Sequence, residues 1–169
     1  MASKRRAPAR ETVVRVRSEH AAGAWALRVL RAAGRTFASE VGGGELSILV
    51  VSDRAIRKLN RDWRQKDEAT DVLSFEQPGQ AGLLGDVVIS LDTARRQAKE
   101  GGRPLSQQLA RLLAHGVLHL VGHDHLKPDE ARRMAAAEVK LLGRVGLVGE
   151  ALDHPKELAF RRARTGAAA

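Results

Sequence analysis

Residues 104–125 read PLSQQLARLLAHGVLHLVGHDH. Pro104 suits the start of a helix, where its fixed φ is already helical and its missing N–H costs no bond. Leu105, Leu109, Leu112, Leu113 and Leu118 then recur at spacings that turn them inward. A helix this rich in leucine is expected to be the central, most buried element of the fold. The same stretch carries chemistry. His115, His119, His123 and His125 fall within eleven residues of a chain that has only two other histidines. His115 and His119 are four apart and stack on one helical face. Gly122 can adopt a left-handed conformation and end the helix, which lets the chain fold back and bring His125 to the same point. Three imidazoles converging in this way form a site for a borderline transition metal with a coordination position left open. An open position implies chemistry, not scaffolding.

The spacing of His115, His119, Gly122 and His125 equals that of the long zinc-protease motif, His-Glu-x-x-His-x-x-Gly-x-x-His. Where that motif has its general-base glutamate, this chain has Gly116. A peptidase of that mechanism is therefore not expected. The plain alternative is a histidine-rich helix with each ring bonded to a neighbour. It is disfavoured because the ligand spacing and the glycine coincide. His123 is expected to point away, since His125 completes the set, and His20 and His154 read as surface residues.

The chain has 169 residues and no cysteine, so disulfides and thiolate ligands are excluded. No apolar run approaches a membrane span, no secretory pattern opens the chain, and a cytoplasmic protein is expected. The net charge of +9 attracts polyanions, although arginine on ordinary solvated helix faces would give the same surplus. Aromatic residues are few (Trp25, Phe37, Trp63, Phe75 and Phe160), and no strand gathers the ring cluster that base-stacking modules need. A nucleic acid would be gripped by its backbone.

Working outward from the histidine helix, residues 12–17 alternate apolar and charged as a half-buried strand does. Residues 21–41 have helical spacing and stop at Gly42-Gly43-Gly44, and 45–51 form an apolar strand. Ser52-Asp53 cap a short helix to about Trp63. Residues 70–75 and 85–91 are two further strands, Asp92 opens a helix to Glu100, and Pro128 starts a last helix to Val145. The order β-α-β-α-β-β-α-α-α predicts an α/β (α+β) fold, with one mixed four-stranded sheet covered by about five helices and a histidine-bearing helix at its centre.

A substrate must be held against the metal, and residues 59–75 (LNRDWRQKDEATDVLSF) are the best candidate for that second half of the site. With these residues, LLGDVVIS at 83–90 and HGVLHLVGHDH at 115–125, the chain resembles the YbeY family of bacterial rRNA maturation factors, which are single-strand-specific endoribonucleases. The three blocks occur in the family's order over about residues 45–145. The histidine block is highly specific, TDVLSF moderately so, and GD alone weak. One departure is Ala69, where the family usually has proline.

The resemblance implies zinc held by His115, His119 and His125, with Arg64 as the functional arginine of the cleft. Other divalent transition metals, such as nickel, also suit three imidazoles. It further implies RNA as partner, specifically ribosomal RNA precursors and the small ribosomal subunit, with ribosomal or assembly-factor proteins as further partners. Read from the residues alone, Arg64 is equally a helix-terminal charge paired with Asp62 or Asp67. Asp71, Asp86 and Asp124 can each support a ligand imidazole, or cap a turn. The expected organisation is a basic disordered arm (1–10), one metal-dependent hydrolase domain (11–150) and a loose basic tail (151–169). Beside the endoribonuclease stand two alternatives: a metallohydrolase of peptides or amides, and a non-catalytic ribosome assembly factor stapled by its metal.

Overall fold

Alternation of apolar side chains in 44–51 and 83–90 is what gives the sheet two buried faces. In the computed structural model, which describes residues 10–147, the elements are β1 (Thr12–Ser18), α1 (Ala24–Glu40), β2 (Gly44–Val51), α2 (Asp53–Arg64), β3 (Val72–Phe75), β4 (Leu83–Ser90), α3 (Leu91–Glu100), α4 (Leu105–Leu120) and α5 (Pro128–Arg144). The strands lie in the order β1-β2-β4-β3. The first three are parallel, and β3 runs antiparallel along β4 as an edge. The predicted arm and tail lie almost wholly outside the described residues, as does His154.

On one face, Leu46, Ile48 and Val50 of β2 and Val87 and Ile89 of β4 pack with α1, α4 and α5 in the main core. On the other, Val51, Val88 and Leu73 meet Ile56 of α2, with Leu49, Leu59 and Phe75 beside them. Helix α4 is buried on nearly every side, from Gln108 to Leu118. Mostly apolar and covered on every side, it lies between the sheet and its neighbouring helices, and even Gln108, Arg111 and His115 are buried. Burying a leucine fully is worth about 1.5–3 kcal/mol, and Leu109, Leu112 and Leu113 are each 0% exposed.

The expected elements are all present, with small shifts at their ends. Strand β3 begins at Val72, not residue 70, because the Asp71 carboxylate accepts the Val72 N–H (2.8 Å). Helix α3 is capped by Ser90, whose hydroxyl accepts from Thr93 N (3.2 Å). Asp92 instead binds the Asp53 N–H (2.9 Å) and His20 Nε2 (2.9 Å). His20 is therefore not a free surface histidine: its side chain is only 17% exposed and ties the β1–α1 turn to α3.

Candidate metal centre

The last turn of α4 closes with the hydrogen bonds that a left-handed glycine allows. Gly122 has φ +90°, its N–H bonds the His119 carbonyl (3.1 Å), and His123 N bonds the Leu118 carbonyl (3.0 Å). The chain leaves the helix sharply, and the Asp124 carboxylate accepts the His125 N–H (2.7 Å). The His125 ring is thereby set against the helix. Its centroid lies 5.5 Å from that of His115 and 5.2 Å from that of His119.

His115, His119 and His125 each offer one nitrogen, and the three atoms lie within 4.8 Å of one another. The Nε2 atoms of His115 and His119 are 3.0 Å apart. On its other side, His115 Nδ1 is 2.5 Å from Oε1 of Glu138, a residue of α5 that is 1% exposed. A carboxylate there accepts the Nδ1–H hydrogen bond, fixes the tautomer and leaves the Nε2 lone pair aimed at the shared point. Burial, then the neighbouring His115 and His125, push His119 down to about 4, so it is neutral at neutral pH. His125 Nδ1 is buried without a hydrogen-bond partner. An orphaned buried nitrogen costs about 1–3 kcal/mol, and a bound ion would relieve such crowding. The donor set suits a borderline transition metal. His123 is not part of the cluster.

Arg64 ends α2 on the far face of the sheet and reaches round the edge strand. Its Nη2 donates to the Ser74 carbonyl (2.7 Å), and its guanidinium lies 5.9 Å from the centre of the Phe75 ring. The Ser74 hydroxyl in turn donates to the carbonyl of Gly116, between the two helical histidines (2.8 Å). Ser74 thus joins the arginine to the histidine helix across β3. The carboxylates considered as partners for Arg64 are engaged elsewhere: Asp67 with Arg57 (2.9 Å) and Asp62 with Arg61 (3.3 Å). Asn60, 4% exposed, donates to the Glu68 carbonyl (2.9 Å) and pins the loop that follows Arg64.

Of the three aspartates, only Asp124 lies beside the cluster, and its bond is to the His125 backbone. Asp71 is at the Ser90 end of β4, where its side chain also accepts from Gln97 Nε2 (3.0 Å). Asp86 alternates with Val87, so it faces away from α4 and accepts from Gln77 Nε2 (3.0 Å). Asp71 bonds the backbone of its own turn and Asp86 ties the β3–β4 loop to β4, and neither is in the histidine cluster.

Glu138 and Ser74 were not anticipated. Glu138 did leave a signal: with Met134, Leu141 and Leu142 it occupies the inward stripe of α5, where a lone carboxylate needs a partner.

The family model described as Endoribonuclease YbeY matches residues 9–146. The chain belongs to the YbeY family. A curated relative from Anaeromyxobacter dehalogenans, named Endoribonuclease YbeY, is 57% identical over 145 residues, covering 83% of this chain and 75% of the relative. Another of that name, from Rhizobium meliloti, is 41% identical over 140 residues (76% and 83%). A Thermotoga maritima protein whose structure was determined in solution has the same fold, with TM-score 0.53 and 23% identity over 78% of this chain and 90% of that one. No described helix is long and apolar enough to cross a membrane.

Proposed function

We propose that this YbeY-family chain is a zinc-dependent, single-strand-specific endoribonuclease acting in the cytoplasm on ribosomal RNA precursors and the small ribosomal subunit. The observation that carries the reading is the joining of three clustered imidazoles to an exposed arginine through Ser74.

Each group has a task suited to phosphodiester cleavage. His115, His119 and His125 would hold the ion, and Glu138 keeps His115 in the tautomer that can bind it. A bound zinc supplies Lewis acidity and a water acidic enough to ionise near neutral pH. Arg64 offers a planar fork to two phosphate oxygens and stays charged at every relevant pH. Its backbone partner on the protein, a neutral carbonyl, leaves the positive charge available to an anion. Trp63, 68% exposed and edge-on to Phe75 at 6.2 Å, presents a ring beside that fork on which a base can stack.

The peptidase alternative loses its chemistry at Gly116. A Cβ there would lie 2.7 Å from Val87 Cγ1, because this side of α4 is pressed onto the sheet. A glutamate at that position would enter the core instead of the cleft. The metal-staple alternative calls for a closed four-ligand site, whereas His119 and His125 are both partly exposed. Single-stranded RNA cleavage by purified protein should vanish in Arg64→Ala with metal content unchanged. Full cleavage in that variant would remove the arginine from the mechanism, and cleavage that survives chelation would remove the metal.

A further inference from the structure

Helix α2 carries more positive charge than its ending arginine accounts for. Arg54, Arg57, Lys58 and Arg61 follow one another at i, i+3, i+4 and i+7, all exposed, and Arg64 continues the same line at i+10. At 1.5 Å per residue the row spans about 15 Å. The first four, with Ser52 and Ala55, line a shallow depression of about 470 Å³. Arg54 and Lys58 make no ion pair or hydrogen bond among the described residues. Arg57 is paired with Asp67, and Arg61 with Asp62, but these pairs are roughly half exposed. Exposed pairs of that kind are weak and give way readily to another anion.

We infer that this row is the track along which single-stranded RNA reaches the metal centre, gripped through its phosphates. The inference deepens the endoribonuclease reading and rests on it. The row ends at Arg64, so it is continuous with the candidate site. It carries no aromatic residue until Trp63, so it holds backbone without selecting bases, and the ring stands where the strand arrives. The path also bends: α2 packs on one face of the sheet and the histidines lie on the other, with only the edge strand β3 between them. A flexible single strand can turn that corner, whereas a duplex is stiff over such a distance.

The test is a salt titration of the full chain, zinc-loaded, binding a fluorescent unstructured oligoribonucleotide. The paired variant Arg54→Gln/Lys58→Gln is compared with wild type and with Arg28→Gln/Arg31→Gln, which removes the same charge from α1. Each phosphate contact on a single strand contributes about 0.7 to the slope of log affinity against log salt, so the track variant should lose roughly 1.4. Its KM for cleavage should rise about tenfold at low salt, with kcat at saturating RNA and zinc content unchanged. A slope no lower than that of the α1 variant overturns the track while leaving the endoribonuclease reading intact. Wild type that neither binds nor cleaves RNA overturns both. Equal loss of affinity for poly-glutamate and for RNA, with KM unmoved, marks a general polyanion surface and also overturns the track.

Discussion

Replacing Gly116 by alanine tests how tightly the histidine helix is seated on the sheet. The added Cβ would stand 2.7 Å from Val87 Cγ1 and 3.2 Å from both Ser74 Oγ and Val87 Cγ2. Carbon atoms rest near 3.5 Å, so the closest contact is short by about 0.8 Å. Val87 is 0% exposed and cannot swing aside into solvent. Overpacking of this sort costs about 1–3 kcal/mol. Alanine recovers about 0.8–1 kcal/mol of helix propensity over glycine. The expected net loss is therefore about 1 kcal/mol, or roughly 3 °C in Tm for a chain of this size. Val87→Ala alone should cost about 2 kcal/mol by leaving a cavity. In the double variant the new methyl fills part of the space vacated, so the two losses should fall short of additivity by about 1 kcal/mol. Urea unfolding of the four proteins reads the cycle. Gly116→Ala at least as stable as wild type, together with strict additivity, would refute the close-packing account. Gly116→Glu should fail to fold for the same reason.

Three further outcomes follow from the site. Glu138→Ala should weaken zinc binding about 10–100-fold in chelator competition, and an unchanged affinity would remove Glu138 from its positioning role. Because His119 titrates near 4 when folded and near 6.5 when unfolded, the unfolded chain binds a proton between those values that the folded chain refuses. Stability of the chelated protein should thus fall as pH drops from 6.5 toward 4, and His119→Gln should flatten that slope; equal slopes in the two proteins would contradict it. Gly122→Ala must place a Cβ at φ +90°, costing about 1–2 kcal/mol, and should lower metal affinity by displacing His125. Retention of both stability and affinity would show that the turn tolerates a side chain.

The order of elements was legible because the apolar spacing changes cleanly between periods of two and of 3.6, and the glycine and proline punctuation is strong. The histidine cluster was legible because its three members lie within one helix and its exit. What stayed hidden depends on contacts between distant segments. In Val72–Phe75 both faces are at least partly covered, so polarity did not reveal that Ser74 faces α4 and Phe75 faces α2. Asp86 could have been placed from strand parity alone, since Val87 and Ile89 fix the core-facing side. Glu138 is 23 residues from His115; its inward position was readable, but its partner required knowing how α5 packs on α4. His20 shows the same limit, because a lone histidine in a turn gives no hint of the aspartate that captures it 72 residues later.

His115 and His119 stand on the most deeply enclosed helix among the described residues, while His125 lies on a short segment after Gly122, with Leu126 57% exposed. Two donors therefore share the lifetime of the whole native state, and the third follows the opening of a few surface residues. Amide hydrogen exchange will resolve this as slow protons across the helix and fast ones just beyond it. An ion held by the proposed ligand set would thus sit between a fixed jaw and a looser one, and the rate at which it entered or left would follow the opening of the short segment after Gly122.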